Sequence, residues 1–505
     1  MKNPMNSSRP PNILFILTDQ QRADTLSCYA PGTLCHTPHL DALARQSAIF
    51  KNTYTVCAVC SPARASLQTG SYPHAHGVET NIYQRGCLVH ELPNRPTLLS
   101  RRLQQAGYSI GYTGKWHLGE GGLDAVSSWG QNFPYIAPSY SGLPSDVGYY
   151  GDDFPGHGDG GYDYPQFKAY LAARGLSFDV KDRREGRRQG HHTQTGEVVS
   201  PIESTNEYFL VERAIHCFDH FAKTPQPWCM QLHFWGPHEP FFAPTEFLEL
   251  YRETPIPPWP NFHEDRSAKP GFHDVFRRPD EKWRYWEDAL RHYYGFMSSI
   301  DAQVGRLIAE LKRRELYDDT VIIFSTDHGD SQGCHGGIEN KSYHLYEETV
   351  HIPLLVKPAM RDAASFEVQQ LVQTCDIHST ILDLAGLPRE TAEAAHGRSL
   401  VPLLHRETPP WRDCVVSEGL SASAALCTHR MIRKGDWKYV FYASGTDELY
   451  NLRADPWEIT NRIADPACAE IVTELQRSLS TWMKEYTDDL LRDFGRLRPA
   501  SCTGS

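Results

Sequence analysis

At 505 residues the chain is long enough for one large or two unequal domains, and at 40% hydrophobic and 22% charged residues it has the make-up of an ordinary globular protein. A formal charge of −12 gives no support to a nucleic-acid partner, and no apolar run reaches the length that spans a bilayer. The 13 cysteines are scattered and odd in number; with no export signal legible, they are expected to be reduced thiols of a cytoplasmic protein.

The run Asn12-Ile-Leu-Phe-Ile-Leu-Thr18 is short and continuously apolar, which predicts a strand buried on both faces of a parallel sheet. It ends in Asp19-Gln20. Ligands collect at the carboxyl ends of such strands, so Asp19 is a candidate site residue, with a helix N-cap as its plain alternative. A helix is expected from Thr37-Pro38, with Leu40, Leu43 and Ala44 on one face. In the stretch 57–70, Pro62 suits the first position of a helix and Ser61 its N-cap. Cys60 then sits just outside a helix N-terminus, with Arg64 on the first turn, a setting for an anionic ligand or a thiolate. Cys57-Ala-Val-Cys60 also permits a redox dithiol or half a zinc site, although no second cysteine pair has zinc-site spacing. A plain buried thiol is the third reading.

A helix over 98–106 and a strand over 108–114 lead into Lys115-Trp-His117. Residues 121–196 are rich in Gly, Tyr and Asp with little periodicity and carry a basic run at 183–192; an active-site loop is expected there. A helix over 205–223, with Phe209, Ala214, Cys217, Phe218 and Phe221, precedes a strand over 228–234 that delivers Pro237-His238-Glu-Pro-Phe241. Residues 255–290 read as a second variable insertion, and 300–316 as an amphipathic helix with Val304, Leu307, Ile308 and Leu311 in its stripe. Thr320-Val-Ile-Ile-Phe-Ser-Thr326 is the second buried-type strand and ends in Asp327-His328-Gly-Asp330. Two such strands, each delivering an aspartate at its carboxyl end, form the strongest signal the residues give by themselves. His335 and His344 follow and are expected behind the ligand set or at the surface. A strand over 351–356 and a helix over 377–385 come next. Thr408-Pro-Pro-Trp411 reads as a linker, dividing a catalytic domain (1–407) from a C-terminal subdomain (408–505). The latter is expected to hold strands near 436–441 and 448–458 and a helix over 472–482.

Cys60-x-Pro-x-Arg64, continued through Ala65-Ser-Leu-Gln-Thr-Gly70 and Tyr72-Pro-His-Ala-His-Gly77, resembles the signature of the formylglycine-dependent sulfatases of the alkaline phosphatase superfamily. Gly114-Lys-x-His117, the Pro-His-x-Pro-Phe segment at 237–241, and Asp327-His-Gly through Lys341 to Tyr346-Glu are similar to further segments of that family. The resemblance implies an α/β fold: a large mixed, mostly parallel sheet flanked by helices, with a smaller C-terminal α+β part holding an antiparallel sheet. It implies that Cys60 is oxidised to formylglycine by a formylglycine-generating or other sulfatase-maturating enzyme. One divalent metal ion would be held by Asp19, Gln20, residue 60, Asp327 and His328. The family's usual ion, Ca²⁺, is the one expected; Gln stands at 20 and His at 328 where many members have Asp and Asn, and because an imidazole suits a borderline ion, Mn²⁺ is the alternative. The aldehyde hydrate would attack sulfur; Arg64 and Lys115 would fix it, His117 would serve as hydrogen-bond partner or base, and His238 and Lys341 would contact the sulfate. The expected substrate is an aryl or carbohydrate sulfate monoester. Two alternatives stand beside it: a phosphonate monoester or phosphodiester hydrolase, since Asp-Gln with Asp-His also occurs in such relatives, and a non-catalytic anion binder with Cys60 unmodified. No nucleic acid or membrane partner is expected; the C-terminal segment could serve a homo-oligomer interface.

Overall fold

The computed structural model describes residues 10–82, 84, 89, 91–119, 142–184, 193–341, 344–388, 395–421 and 427–498. Its centre is a nine-stranded sheet. Eight strands lie in the spatial order His351–Ile352, Ala48–Tyr54, Leu354–Lys357, Thr320–Thr326, Asn12–Thr18, Trp228–His233, Ser109–Gly114, Tyr150–Gly151, and Phe366–Gln373 pairs with Ala48–Tyr54. The five strands from Thr320–Thr326 to Tyr150–Gly151 are mutually parallel, and Leu354–Lys357 joins them antiparallel to the rest. The mixed, mostly parallel sheet expected from the sequence is therefore present.

The strand Asn12–Thr18 shows why its residues are apolar without alternation. Leu14 and Ile16 face one core, and Ile13, Phe15 and Leu17 the other, so both faces are covered. The helices Asn206–Phe221 and Trp283–Arg313 close the first face through Phe209, Ala214, Phe218, Phe221, Val304, Leu307 and Leu311. The helices Cys60–Thr69, Leu99–Gln105 and Thr374–Leu384 close the second through Leu67, Leu103, Ile377 and Ile381. Each of these side chains except Ala214 contributes about 1.5–3 kcal/mol on leaving water.

Several boundaries differ from expectation. The amphipathic helix placed at 300–316 begins at Trp283 and runs 31 residues, because Trp286, Leu290, Tyr293 and Met297 extend the same buried stripe into what reads as an insertion. The region 121–196 is not wholly irregular: it contributes a helix, Pro165–Arg174, and two strands, Val180–Arg184 and Thr195–Val198, that form a small sheet with Phe241–Pro244. Of the basic run, Arg183 lies over the Phe242 ring and Arg184 pairs with Asp288, and 185–192 lie outside the described residues. Pro353 breaks the 351–356 strand in two.

Towards the C-terminus, Cys414–Ser421, Cys427–Lys434, Trp437–Tyr442 and Glu448–Asn451 form a four-stranded antiparallel sheet, against which the helix Ala469–Glu485 places Leu475, Leu479, Trp482 and Met483. This sheet reaches back to the cysteine-bearing segment: Glu418 N–H donates to Val56 O, and the backbone of Cys57 bridges to Glu418. No helix among the described residues is long and apolar enough to cross a membrane.

Candidate active site

The register of the two apolar strands creates the site. Asn12 to Thr18 pair residue for residue with Thr320 to Thr326, so Asp19 and Asp327 leave neighbouring strands side by side. On the other flank, Leu17 pairs with His233 and His233 with Gly114, which brings Lys115 to the same edge. Gly114 is obligatory there: its φ is +101°, and a Cβ would stand 1.8 Å from His233 O.

Cys60 is delivered by a helix that starts two residues earlier than the sequence suggests. Val59, not Ser61, is the N-cap; Cys60 is the first helical residue, and Arg64 falls in the second turn. Ser61 donates its hydroxyl to His117 O instead of capping. Cys60 therefore lies at the positive end of a ten-residue helix, which leaves the expected electrostatic setting intact.

The carboxylates of Asp19 and Asp327, both fully buried, are split in function. Asp19 Oδ2 accepts from Arg64 Nη2 at 2.8 Å and meets Lys115 Nζ at 2.7 Å, and Asp327 Oδ2 accepts from Arg64 Nε at 2.9 Å. The Oδ1 atoms turn inward. Asp19 Oδ1 lies 3.8 Å from Cys60 Sγ and 3.9 Å from His328 Nε2; Asp327 Oδ1 lies 3.7 Å from His328 Nε2, which is 3.2 Å from Cys60 Sγ. His328 Nδ1–H donates to Gly329 O at 2.9 Å, which leaves the Nε2 lone pair facing the centre. Donors bound to one ion at about 2.2 Å stand roughly 3–4.4 Å apart, so this group of four, all buried and within 4.8 Å of one another, fits a single divalent cation.

Burial would raise Asp19, but Lys115, His238 and Arg64 outweigh it and hold the carboxyl well below its usual range. His328 is the reverse case: burial lowers it, and Asp327 and Cys60 carry it above the ordinary histidine value. Lys341 is raised despite burial, through Cys60 and Glu239. His238 is lowered by burial and then by Lys341 and Lys115; it donates Nδ1–H to Glu239 O at 2.8 Å and accepts from Lys341 Nζ through Nε2 at 2.8 Å. His117 is also lowered, by burial first and then His157 and Lys115, and its Nδ1 is buried with no hydrogen-bond partner among the described residues.

Cys60, Arg64, Lys115, Asp19, Asp327 and His328 thus meet directly, and Lys341 and His238 stand next to Gln20, whose Oε1 accepts from Lys341 Nζ. Arg64 is spent on the two aspartates and the Lys115 carbonyl, while Lys115 Nζ is the cation 3.7 Å from Cys60 Sγ. Cys57 and Cys60 are both free, against a disulfide.

Four further residues belong to the site's surroundings. His233 Nδ1 meets Tyr112 OH at 2.8 Å and Arg64 Nη1 at 3.4 Å; its place at the end of a buried strand was the same signal that singled out Asp19. Glu239 and Asp330 bind the Gln20 amide from within motifs already quoted, Pro-His-Glu-Pro and Asp-His-Gly-Asp. His157 packs edge-to-face on both His117 and His238, with ring centroids 4.9 Å away in each case, and comes from a Gly-rich stretch with no sequence signal. His335 and His344, expected behind the ligand set or at the surface, are buried at 0% and 1% exposure.

Comparison with known proteins agrees with this geometry. The multifunctional alkaline phosphatase superfamily protein PehA of Trinickia caryophylli is 27% identical over 529 aligned positions, covering 96% of this chain and 97% of PehA. The choline-sulfatase of Rhizobium meliloti (strain 1021) is 29% identical, covering 90% of this chain and 83% of that protein. Among solved structures, the phosphonate monoester hydrolase SpPMH from Silicibacter pomeroyi superposes with a TM-score of 0.75 at 23% identity, covering 95% and 96% of the two chains, which shows a shared fold. Residues 333–485 match the N-sulphoglucosamine sulphohydrolase C-terminal family. Residues 11–387, with both aspartates, Cys60 and the lysines, match the sulfatase family model, and the chain belongs to that family of hydrolases.

Proposed function

We propose that the protein hydrolyses the sulfate monoester of an aryl or carbohydrate alcohol, with residue 60 acting as formylglycine after oxidation of Cys60 by a formylglycine-generating or other sulfatase-maturating enzyme. The observation that carries this reading is the split engagement of Asp19 and Asp327, with Oδ2 tied to Arg64 and Lys115 and Oδ1 turned to Cys60 and His328. Asp19, Asp327, His328, Gln20 and residue 60 would hold one divalent ion, Ca²⁺ or, with an imidazole in the set, Mn²⁺. When bound, that ion supplies Lewis-acid activation of the nucleophile and positive charge for the ester. In this reading residues 1–407 carry the chemistry, and residues 408–505 brace the cysteine segment through Glu418 and Val56.

The protein's own groups have separable tasks. Arg64 fixes the two carboxylates so that their inner oxygens cannot rotate away. Lys115 stands between Asp19 and residue 60 and holds the oxygen of the nucleophile. His117, held neutral by its burial, has an Nδ1 with no partner among the described residues and would serve residue 60 as hydrogen-bond partner or base. Lys341, oriented by the neutral His238, offsets charge on the transferred group and the leaving oxygen. Arg64, Lys115 and Lys341 stand among the carboxylates of Asp19, Asp327, Glu239 and Asp330, and Lys115 and Lys341 place positive charge beside residue 60 where an anionic ester would meet it.

The test compares kcat/KM on two aryl esters that differ only in the transferred group, sulfate or phosphonate, with Ca²⁺ and with Mn²⁺, on protein confirmed by mass spectrometry to carry the aldehyde at 60. A sulfate preference is expected. The reverse preference would replace this reading with the phosphonate monoester or phosphodiester one, which Gln20 and His328 favour because they leave the cage with only two carboxylates. A residue-60 peptide that is a free thiol throughout in the native host would point to an anion binder.

A further inference from the structure

Position 20 is the one member of the proposed cage whose side chain has two chemically different ends, and the structure treats them differently. The nitrogen Nε2 donates to Asp330 Oδ2 at 2.5 Å and to Glu239 Oε2 at 3.1 Å. The oxygen Oε1 accepts from Lys341 Nζ, an ammonium coupled electrostatically to Cys60 and Asp19. An ammonium only donates, so Lys341 requires an amide oxygen on its side, and the NH₂ then falls to Asp330 and Glu239: the amide sits in one orientation. A rotation by 180° would set an oxygen against two carboxylates and an NH₂ against a cation.

The clamp has its own supports. Asp330 Oδ2 accepts a second bond from Gln332 Nε2 at 2.7 Å, and Glu239 Oε1 accepts from Asn340 Nδ2 at 3.3 Å. The backbone of Gln20 is fixed as well: its N–H donates to Asp327 Oδ1 at 3.2 Å, and its carbonyl accepts from Tyr293 OH at 2.9 Å. Its φ is +62°, a conformation that a residue with a Cβ adopts at a cost of about 1 kcal/mol or more. A buried glutamine that merely filled space would require neither the strain nor five committed neighbours.

We infer that Glu239 and Asp330 are positioning residues that hold the Gln20 amide with Oε1 facing the Cys60 side, as a neutral ligand for the cation of the site. The inference rests on the proposed metal cage and adds the reason why position 20 is an amide. A carboxylate at 20 would put a third negative group against Glu239 and Asp330; in their company only an amide presents an oxygen inward and a donor outward. Asp330 lies two residues beyond His328 on the same turn, so the clamp and the cage are built by one loop.

The experiment titrates Mn²⁺ into the metal-stripped full-length enzyme by calorimetry, with the melting temperature of each metal-free variant as the folding control. Asp330→Ala and Glu239→Ala should each weaken Mn²⁺ binding by roughly tenfold or more, as losses of groups that orient a ligand do. Asp330→Asn and Glu239→Gln keep an acceptor oxygen for Nε2 and should stay within about threefold of wild type. If the amide variants lose as much as the alanines, the carboxylates act by charge and the inference falls. If the alanines bind like wild type, it falls as well. Should the alanine variants fail to fold, Gln20→Glu decides. It should weaken Mn²⁺ binding in the wild-type background and strengthen it when Asp330→Asn and Glu239→Gln are also present; the same sign in both backgrounds overturns the clamp. Wild-type protein that binds no Mn²⁺ would overturn the cage itself and the inference with it, a result distinct from every variant outcome.

Discussion

Among the described residues, two clusters contain histidine and carboxylates close enough to share a cation: the fully buried Asp19, Cys60, Asp327 and His328 at the strand ends, and His335, a half-buried Glu348 and Glu458 between the main sheet and the C-terminal sheet. They differ in where the oxygens point. At the strand ends, Arg64 and Lys115 take the outer oxygens and the inner ones converge. In the second cluster the cations stand inside. Glu264 meets Arg266 through Oε1 at 3.0 Å and Lys269 through Oε2 at 2.9 Å; Glu458 meets Lys438 through Oε1 at 2.8 Å and accepts the Glu347 N–H through Oε2 at 2.6 Å. His335 Nδ1 is 3.0 Å from Glu264 Oε2, and Nε2 is 3.1 Å from Glu348 Oε1. The second cluster carries its own cations and joins two parts of the chain, whereas in the first the cations stand outside and Asp19 Oδ1, Asp327 Oδ1, His328 Nε2 and Cys60 Sγ converge on one centre. Composition does not separate them; the division of labour within each carboxylate does.

That contrast breaks first at Cys60. Cys60→Ala removes the proposed nucleophile and should lower turnover by on the order of 10⁴-fold or more, with a melting temperature near that of wild type. A variant retaining a tenth of the activity would remove residue 60 from the chemistry. The second cluster should show the opposite split. Lys269→Met leaves Glu264 and His335 buried without their ammonium and should cost about 3–5 kcal/mol of stability, read from denaturant unfolding. Added Mn²⁺ should raise the melting temperature of this variant as much as that of wild type, because the ion's cage is elsewhere. Lys341→Ala tests the positive side of the site and should cost roughly 10²–10³ in kcat/KM; a loss below about tenfold would take Lys341 off the transferred group.

Much of this was legible in the chain because the determinants are local in sequence. An apolar run without alternation means a strand covered on both faces, and Asn12–Thr18 and Thr320–Thr326 are covered so. A charged residue directly after such a run has little to do in a core, which marked Asp19 and Asp327. What the residues could not reveal is register: that Thr18 lies opposite Thr326, and that Gly114 lies opposite His233, comes from pairing across some 300 and 120 positions respectively. The helix of Cys60 starts two residues before the sequence-based position because Pro62, well suited to the first position, is tolerated equally at the third, where no intrahelical N–H is yet needed. The long helix was cut at Ile300 because Trp and Tyr in 283–297 look like surface aromatics until their burial is seen. His157 gave no signal, since its position in the site depends on a Gly-rich loop folding back over His117.

A third buried charge contact connects the C-terminal sheet to the cysteine segment and sharpens the contrast by titrating in an accessible range. His74 Nδ1 lies 2.6 Å from Glu418 Oε1, and its Nε2 lies 2.9 Å from Tyr486 O. Burial lowers its basicity, but Glu418, with Asp488, more than compensates, and the folded-state value is pushed up to about 9. A folded value above the unfolded one means that the folded protein holds the proton more tightly. The stabilisation is therefore complete below about pH 6.5 and is lost as the pH rises to about 9. The loss should amount to about 2–3 kcal/mol across that window. His74→Gln cannot titrate there, so its unfolding free energy should change less than that of wild type between pH 6 and pH 9. Equal slopes in the two proteins would mean that the proton on His74 is not held by the fold, and that Glu418 is fixed by Arg430, 3.5 Å from its Oε2, instead.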